Sequence, residues 1–246
     1  ASFNFEKFKQ HVEKAMRMMD DIIDLELEKI ELIINKIAAD PEDEDIRRVE
    51  LELWKKIRTM ARKGRRTGLG ITAEGDMLAA LGLRYGTPEA TAFAVKVQKT
   101  LALEAYRASV KMAAERGAFE IFDARKEEKN PMIGRIREAD PELYAEMVKH
   151  GRRNIAMLTI APTGTTSLMS QTTSGIEPVF RPVYKRRRKI NPSDHDTHVD
   201  YEDETGEKFQ EYNVYHHNFV KWLDANGYDT SKLETISDAE LNEWVA

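Results

Sequence analysis

The chain has no cysteine among its 246 residues. That absence excludes a disulfide framework, a thiolate nucleophile and a cysteine-ligated metal. Long apolar runs are missing too: no stretch nears the roughly 18 consecutive apolar residues of a membrane helix, and no charged-then-apolar signal segment opens the chain. The protein is therefore expected to be cytoplasmic, without a membrane partner. Histidine is scarce, at six residues, which leaves little material for a histidine-rich metal centre. Charge of one sign does not dominate either. The net charge of -5 argues against a dedicated nucleic-acid binder, and the basic run from Lys185 to Lys189 departs from that average only locally.

What is present suits a helix-rich globular protein: 41% hydrophobic and 33% charged residues, enough chain for one large domain or one and a half smaller ones. The sequence starts at Ala1 without a methionine and stops after Trp244, Val245 and Ala246 without a terminal signal, so it is expected to be a piece of something longer. Asn4 is placed to cap a helix, and Phe8, Val12, Ala15, Met16, Met19, Ile22, Ile23, Leu27, Ile30, Ile34 and Ile37 recur at steps of three and four. The spacing predicts a long amphipathic helix with a break near Asp20 and Asp21. Asp40 before Pro41 signals a second helix, carrying Val49, Trp54, Ile57 and Met60 to Gly64, and the two helices are expected to pair antiparallel. "TGLGIT" (67 to 72) reads as a short buried strand entering a small helix from Asp76 to Leu81. Thr87 and Pro88 open a helix that stops near Gly117, and Asp140 and Pro141 open one ending at His150 and Gly151. "NIAMLTI" (154 to 160) reads as a strand. Residues 175 to 190 read as extended, residues 191 to 206 as a surface loop, and Val214, Phe219, Val220, Trp222 and Leu223 as one amphipathic helix. Ser237 to Glu240 resembles a last helix start.

The stretch "APTGTTS" (161 to 167) follows the "NIAMLTI" strand directly. A strand, a proline, a glycine and hydroxyl residues opening a helix form an arrangement that suits phosphate: unpaired N–H groups and the helix dipole favour negative charge, and Gly164 leaves room for close approach. Thr163, Thr165, Thr166 and Ser167 add hydroxyls. An ordinary capped helix start explains the same residues, and no Walker lysine follows Gly164. "GRRTGLG" (64 to 70) has the wrong glycine spacing for a dinucleotide fingerprint and fits a close-packed strand beside a helix. His195 and His198 in "DHDTH", and the adjacent His216 and His217, read as solvated or packed histidines rather than metal ligands. Asp20 with Asp21, and the acids from Glu42 to Asp45, read as helix-surface and cap features.

Three segments, "RRTGLGITAEGDMLAALGLRYG" (65 to 86), "NIAMLTIAPTGTTSLMSQTTSGIEPVF" (154 to 180) and "YEDETGEKFQEYNVYHHNFVKWL" (201 to 223), resemble the catalytic subunit of ribonucleotide reductases, most closely the adenosylcobalamin-dependent class II enzymes. The resemblance implies an α/β fold, a portion of the family's ten-stranded α/β barrel with a helix-rich N-terminal part. Residues 1 to 63 would be a helical pair, 64 to 190 barrel strands and helices with the phosphate loop, and 191 to 246 a loop excursion and C-terminal helices, all within one barrel domain. It further implies that Pro162, Thr163, Gly164, Thr165 and Thr166 hold the phosphates of a ribonucleotide substrate, and that adenosylcobalamin is the radical source. The family's chemistry needs a thiyl-radical cysteine and a redox cysteine pair, which this chain lacks. "ASFNF" resembles the sequence after the second cysteine of that pair. A companion polypeptide or missing segment is therefore expected to carry the cysteines, no catalytic residue is assigned to this chain, and an oligomer is compatible with the resemblance. The alternative is a noncatalytic nucleotide-binding or scaffold module derived from a reductase.

Overall fold

The computed structural model describes residues 1–191, 193–194 and 197–245, which fall into two compact units. The first comprises residues 1–71 and 86–161. Its longest element, α1 (Phe5–Ala39), starts where the Asn4 side chain accepts the Lys7 N–H at 2.9 Å. Val12, Met16, Ile23, Ile30, Ile34 and Ile37 form its buried stripe. The break expected near Asp20 does not occur, because Asp20 lies on that stripe and is fully buried rather than exposed on the helix surface. Four donors from other parts of the unit satisfy its carboxylate: Arg65 Nε at 2.8 Å, Asn154 Nδ2 at 3.0 Å, Arg153 Nε at 3.2 Å and Arg116 Nη1 at 3.5 Å.

The second helix, α2 (Glu44–Gly64), begins later than Asp40 and Pro41 suggest, because the Asp43 side chain takes the cap by accepting the Asp45 N–H. It runs antiparallel to α1: Arg58 pairs with Glu31 at 2.6 Å, while Arg65, just past its end, pairs with Asp20 and Asp24. Trp54 and Ile57 are half-buried, whereas Val49 and Met60 are exposed, so only part of the expected apolar set is packed. No residue of α2 is fully buried.

Helix α4 (Pro88–Arg116) has the limits its Thr87-Pro88 start and Gly117 stop predict, and the Thr87 hydroxyl accepts the Ala90 N–H. It packs parallel to α1, with Phe93 near Phe5 at one end and Arg116 on Asp21 at 2.7 Å at the other. Buried Ala105, Ala108, Ser109 and Ala113 keep its inner face small, so a neighbouring helix can approach closely. Between α4 and the Asp140-capped helix α7 (Pro141–His150) lie α5 (Ala124–Glu127) and α6 (Pro131–Ala139). Sequence reasoning passed over α6, although Asn130 before Pro131 is the same start signal. Arg152 is buried beside these helices, paired with Glu127 and set over the rings of Tyr106, Phe119 and Phe122.

The two expected strands at 67–72 and 154–160 meet at one parallel bridge, Leu69 with Leu158. Their ladder is short: Leu69 N–H donates to Met157 O at 2.6 Å, and Thr159 N–H to Leu69 O at 3.0 Å. A parallel pair is the weaker sheet arrangement and is normally found inside larger sheets. Two short segments hydrogen-bonded to each other therefore keep little regular strand. Gly70 is required by close approach, since a Cβ there would lie 2.5 Å from Thr159 O. That fits the close-packed reading of "GRRTGLG".

The second unit comprises residues 72–85 and 162–246. It contains α3 (Glu74–Ala80), α8 (Gly164–Ser170), the strands β1 (Val183–Lys189), β2 (Tyr201–Glu202) and β3 (Lys208–Tyr215), then α9 (His217–Ala225) and α10 (Asp238–Val245). The strands form an antiparallel sheet in the order β1, β3, β2. Strand β3 corrects the expectation of one helix from Val214 onward: Val214 pairs with Tyr184 in the sheet, and the helix starts at His217. The expected loop at 191–206 contains β2. Four cations of the basic run have acidic partners, Lys185 in Asp238, Arg187 in Glu211, Arg188 in Asp194 and Lys189 in Glu207. Among the described residues no helix is long and apolar enough to cross a membrane.

Candidate functional site

Helix α8 starts directly after Pro162 and Thr163. Thr163 is left-handed, with φ 50° and ψ 23°, which is an unfavourable backbone for a β-branched residue. It is held there by its own side chain: Oγ1 accepts the Gly175 N–H at 2.7 Å and lies 3.2 Å from the Thr72 hydroxyl. Thr72 in turn donates to Thr173 O at 3.3 Å. A second tie runs through Asp76, whose Oδ2 accepts the Thr173 N–H at 2.8 Å and Asn218 Nδ2 at 2.7 Å, while Thr173 Oγ1 accepts the Asp76 N–H. Thr72, Asp76, Thr173, Gly175 and Asn218 therefore position the loop. None was singled out from the sequence, although the first two lie in the 65 to 86 segment and the others in the two later ones.

These ties change the roles of the hydroxyls. Thr163 is spent on Gly175 and makes no cap bond to α8. Ser167 is buried and donates to Gly164 O at 2.8 Å. Only Thr165 and Thr166, both exposed, keep hydroxyls outside this network. With no side chain capping α8, the N–H groups of its first turn, from Gly164 to Thr166, are those a helix leaves without intrahelical partners. Pro162 and Gly164 are exposed, and a Cβ at Gly164 would meet nothing within 4 Å. The chain's own packing therefore does not require that glycine. An exposed, uncapped helix start attracts an anionic oxygen through its N–H groups and the local dipole.

Beside α8 lies a cavity of about 670 Å³, walled in part by Leu168, Phe180, Tyr184, Val214 and His216. Downstream, Glu177 is exposed, and its carboxylate is held below the usual range first by its own backbone N–H and then by the Ser174 hydroxyl. His198 is exposed and 3.4 Å from Asp200, and His195 lies outside the described residues. In the other unit, the structure brings the carboxylates of Asp20, Asp21 and Asp24 together. Arginines answer them there, Arg65 and Arg116 above all.

Fold and loop thus define a helix-rich protein with a small antiparallel sheet, carrying an uncapped helix start behind a Pro-Thr-Gly-Thr turn. A model of the ribonucleotide reductase barrel domain matches residues 1–243, and the chain belongs to that family. It is similar to a vitamin B12-dependent ribonucleoside-diphosphate reductase of Mycobacterium tuberculosis, 36% identical over 127 residues that cover 51% of this chain and 16% of the relative. A protein of the same description from Thermoplasma acidophilum is 31% identical over 183 residues, 74% of this chain and 18% of the relative. A ribonucleoside-diphosphate reductase subunit alpha of Treponema pallidum is 30% identical over 134 residues, 51% of this chain and 15% of the relative. The matches thus span between 15% and 18% of the length of these relatives.

Proposed function

We propose that this chain is part of a ribonucleotide reductase and supplies the loop that holds the substrate's phosphates, with Pro162, Thr163, Gly164, Thr165 and Thr166 as the binding residues. The observation that carries the proposal is the family match over residues 1–243, which contains the whole loop. The uncapped start of α8 and the open space at Gly164 support it. In this reading the N–H groups of the first turn hold phosphate oxygens, Thr165 and Thr166 add hydroxyl donors, and Thr163 keeps the turn in shape. The two units then belong to one ten-stranded barrel domain, completed by strands outside the described residues, in a cytoplasmic enzyme that makes deoxyribonucleotides.

Reduction of the ribose by thiyl-radical chemistry needs a sulfur radical and a thiol pair, so the cysteines come from another segment or chain. Adenosylcobalamin is proposed as the radical source because two of the relatives named above are described as vitamin B12-dependent. Among the described residues every buried polar side-chain atom already has a partner. No residue of this chain is therefore assigned to hold that cofactor, and no step is routed through it. The zero cysteine count equally favours a second reading, a noncatalytic nucleotide-binding or scaffold module of reductase origin.

The test is calorimetric titration of the assembled reductase with a ribonucleoside diphosphate. Gly164→Val should weaken binding by at least about tenfold with only a small change in thermal stability, since a Cβ at this position meets no atom within 4 Å beyond its chain neighbours and its own helix backbone. Thr166→Ala should do less. Unchanged affinity in Gly164→Val would overturn the assignment.

A further inference from the structure

Strand β1 lies at the edge of its sheet and pairs with β3 on one side only. Two hydrogen bonds fix which of its backbone groups that pairing uses: Pro182 O accepts the His216 N–H at 2.8 Å, and the Ile190 N–H donates to Lys208 O at 2.8 Å. In an antiparallel ladder, hydrogen-bonded pairs alternate with pairs that exchange no bond. The even-numbered residues of β1 therefore bond to β3, while Val183, Lys185, Arg187 and Lys189 turn their N–H and C=O groups away from it. No hydrogen bond ties those outward groups to any described residue. An edge strand of seven residues with free backbone is a template for one more strand.

The side chains say what kind of strand fits. All five residues from Lys185 to Lys189 are cations, so a second copy of β1 laid along this edge would set like charges against each other in either direction. On one face of β1 the cations are answered within the chain, Lys185 by Asp238, Arg187 by Glu211 and Lys189 by Glu207. Alternation puts Tyr184, Arg186 and Arg188 on the other face. Arg186 is exposed there and makes no ion pair among the described residues, and Arg188 reaches Gln210 at 3.2 Å and Asp194 only at 4.0 Å. Tyr184 beside them is 47% exposed. Toward a new strand these even-numbered positions are the non-bonded ones, where facing side chains come closest.

We infer that the outer edge of β1 takes an extended acidic segment of a partner protein as a fourth, antiparallel strand, with acids opposite Arg188 and Arg186 and an apolar residue opposite Tyr184. Along the partner that order reads acid, any residue, acid, any residue, apolar residue. Antiparallel is the arrangement of the rest of the sheet and the stronger one per residue. Main-chain hydrogen bonds give such a strand its affinity, and the cations select its sequence. A basic edge that only repelled strands would refuse this one too. None of these residues belongs to the phosphate loop, so the two assignments stand or fall separately.

The probe is a labelled peptide, Thr-Glu-Thr-Glu-Thr-Val-Thr, capped at both ends, titrated into purified residues 1–246 and read by fluorescence anisotropy. Binding should saturate. Amide exchange should slow at Val183, Lys185, Arg187 and Lys189, whereas Tyr184, Arg186 and Arg188, already bonded to β3, should change little. N-methylation of the threonines keeps every charge but removes the donors aimed at β1, and should weaken binding at least about tenfold. Arg186→Glu should weaken it as much, and a peptide with Lys in place of its second Glu should regain affinity for that variant. No saturable binding, equal affinity of the N-methylated peptide, or protection that does not alternate along β1 would overturn the inference. A single-stranded oligonucleotide that binds as tightly as the peptide would overturn it too, because the edge would then be a patch for any polyanion.

Discussion

Replacing Asp20 by alanine is the sharpest test of how the first unit holds together. The carboxylate takes hydrogen bonds from Arg65, Asn154, Arg153 and Arg116, and it is the only carboxylate of its local acidic trio that is fully buried. Removing one partner of a buried pair costs about 3–5 kcal/mol when the other charge is stranded. Here the stranding is incomplete. Arg65 keeps Asp24 at 2.7 Å and the Asp20 carbonyl at 2.9 Å, and Arg153 keeps the carbonyls of Arg116 and Gly117. The loss should therefore lie near the lower bound, about 3 kcal/mol, a large share of the roughly 5–15 kcal/mol of an ordinary domain. Urea unfolding followed by circular dichroism reads it as a shift of midpoint at constant slope. The pH dependence supplies a second check. Burial pushes the Asp20 carboxyl up, but the Arg65 and Arg153 guanidinium groups outweigh it and hold the group below its ordinary value of 3.8. A carboxylate lowered on folding contributes stability that is complete above the unfolded value and is lost as the pH falls through the folded one. The gap between wild type and Asp20→Ala should thus be constant at neutral pH and shrink in acid below about pH 4. A loss under about 1 kcal/mol, or a gap that widens in acid, would refute the reasoning.

Three further outcomes follow from other sites. Gly70→Ala should destabilise the first unit clearly, by about 1–3 kcal/mol in urea unfolding, because its Cβ would press on the Thr159 carbonyl oxygen at 2.5 Å; full tolerance would mean that the two segments are not held together. Asp76→Ala should free the Thr173 N–H and Asn218 and loosen the α8 loop, so amide exchange should accelerate at 163–175 with little change in α4. Equal acceleration everywhere would assign Asp76 to general stability instead. Purified residues 1–246 with adenosylcobalamin and a dithiol should form no deoxyribonucleotide, and turnover by the chain alone would end the proposal that the cysteines come from elsewhere.

Several helix limits were legible from a capping or stopping residue, though not at Asp40 and Pro41, where Asp43 takes the cap three residues later. Asn4, Thr87 with Pro88, Asp140 with Pro141, and the glycines at 117 and 151 each mark a boundary that the structure keeps. Partners distant in sequence were not legible. Asp20 looked like a surface break because two adjacent acids in a helix are normally solvated, and the arginine that neutralises it is 45 residues away. Strand β3 was hidden for a related reason: Val214 falls in phase with the apolar residues of α9, and only pairing with β1 shows which period it obeys. The "NIAMLTI" segment kept its position but not its regular strand, since strand regularity depends on neighbouring strands that a local pattern cannot count.

The loop shows the same division within seven residues. Its glycine and its place before a helix were legible, because backbone freedom and missing N–H partners are local properties. The roles of its hydroxyls were not, because a threonine donor for a ligand and a threonine tied to a distant backbone N–H have the same letter. Gly175, 12 residues downstream, claims Thr163, and Ser167 turns inward to the Gly164 carbonyl. Under the proposed function, with those two committed, phosphate recognition would fall mainly on the backbone of the first turn, helped by Thr165 and Thr166. A backbone site of this kind tolerates loss of a hydroxyl better than intrusion of a side chain. For that reason Gly164→Val, which crowds the N–H groups at a position where a Cβ meets no packed neighbour, separates a phosphate site from a plain helix start more cleanly than any threonine replacement.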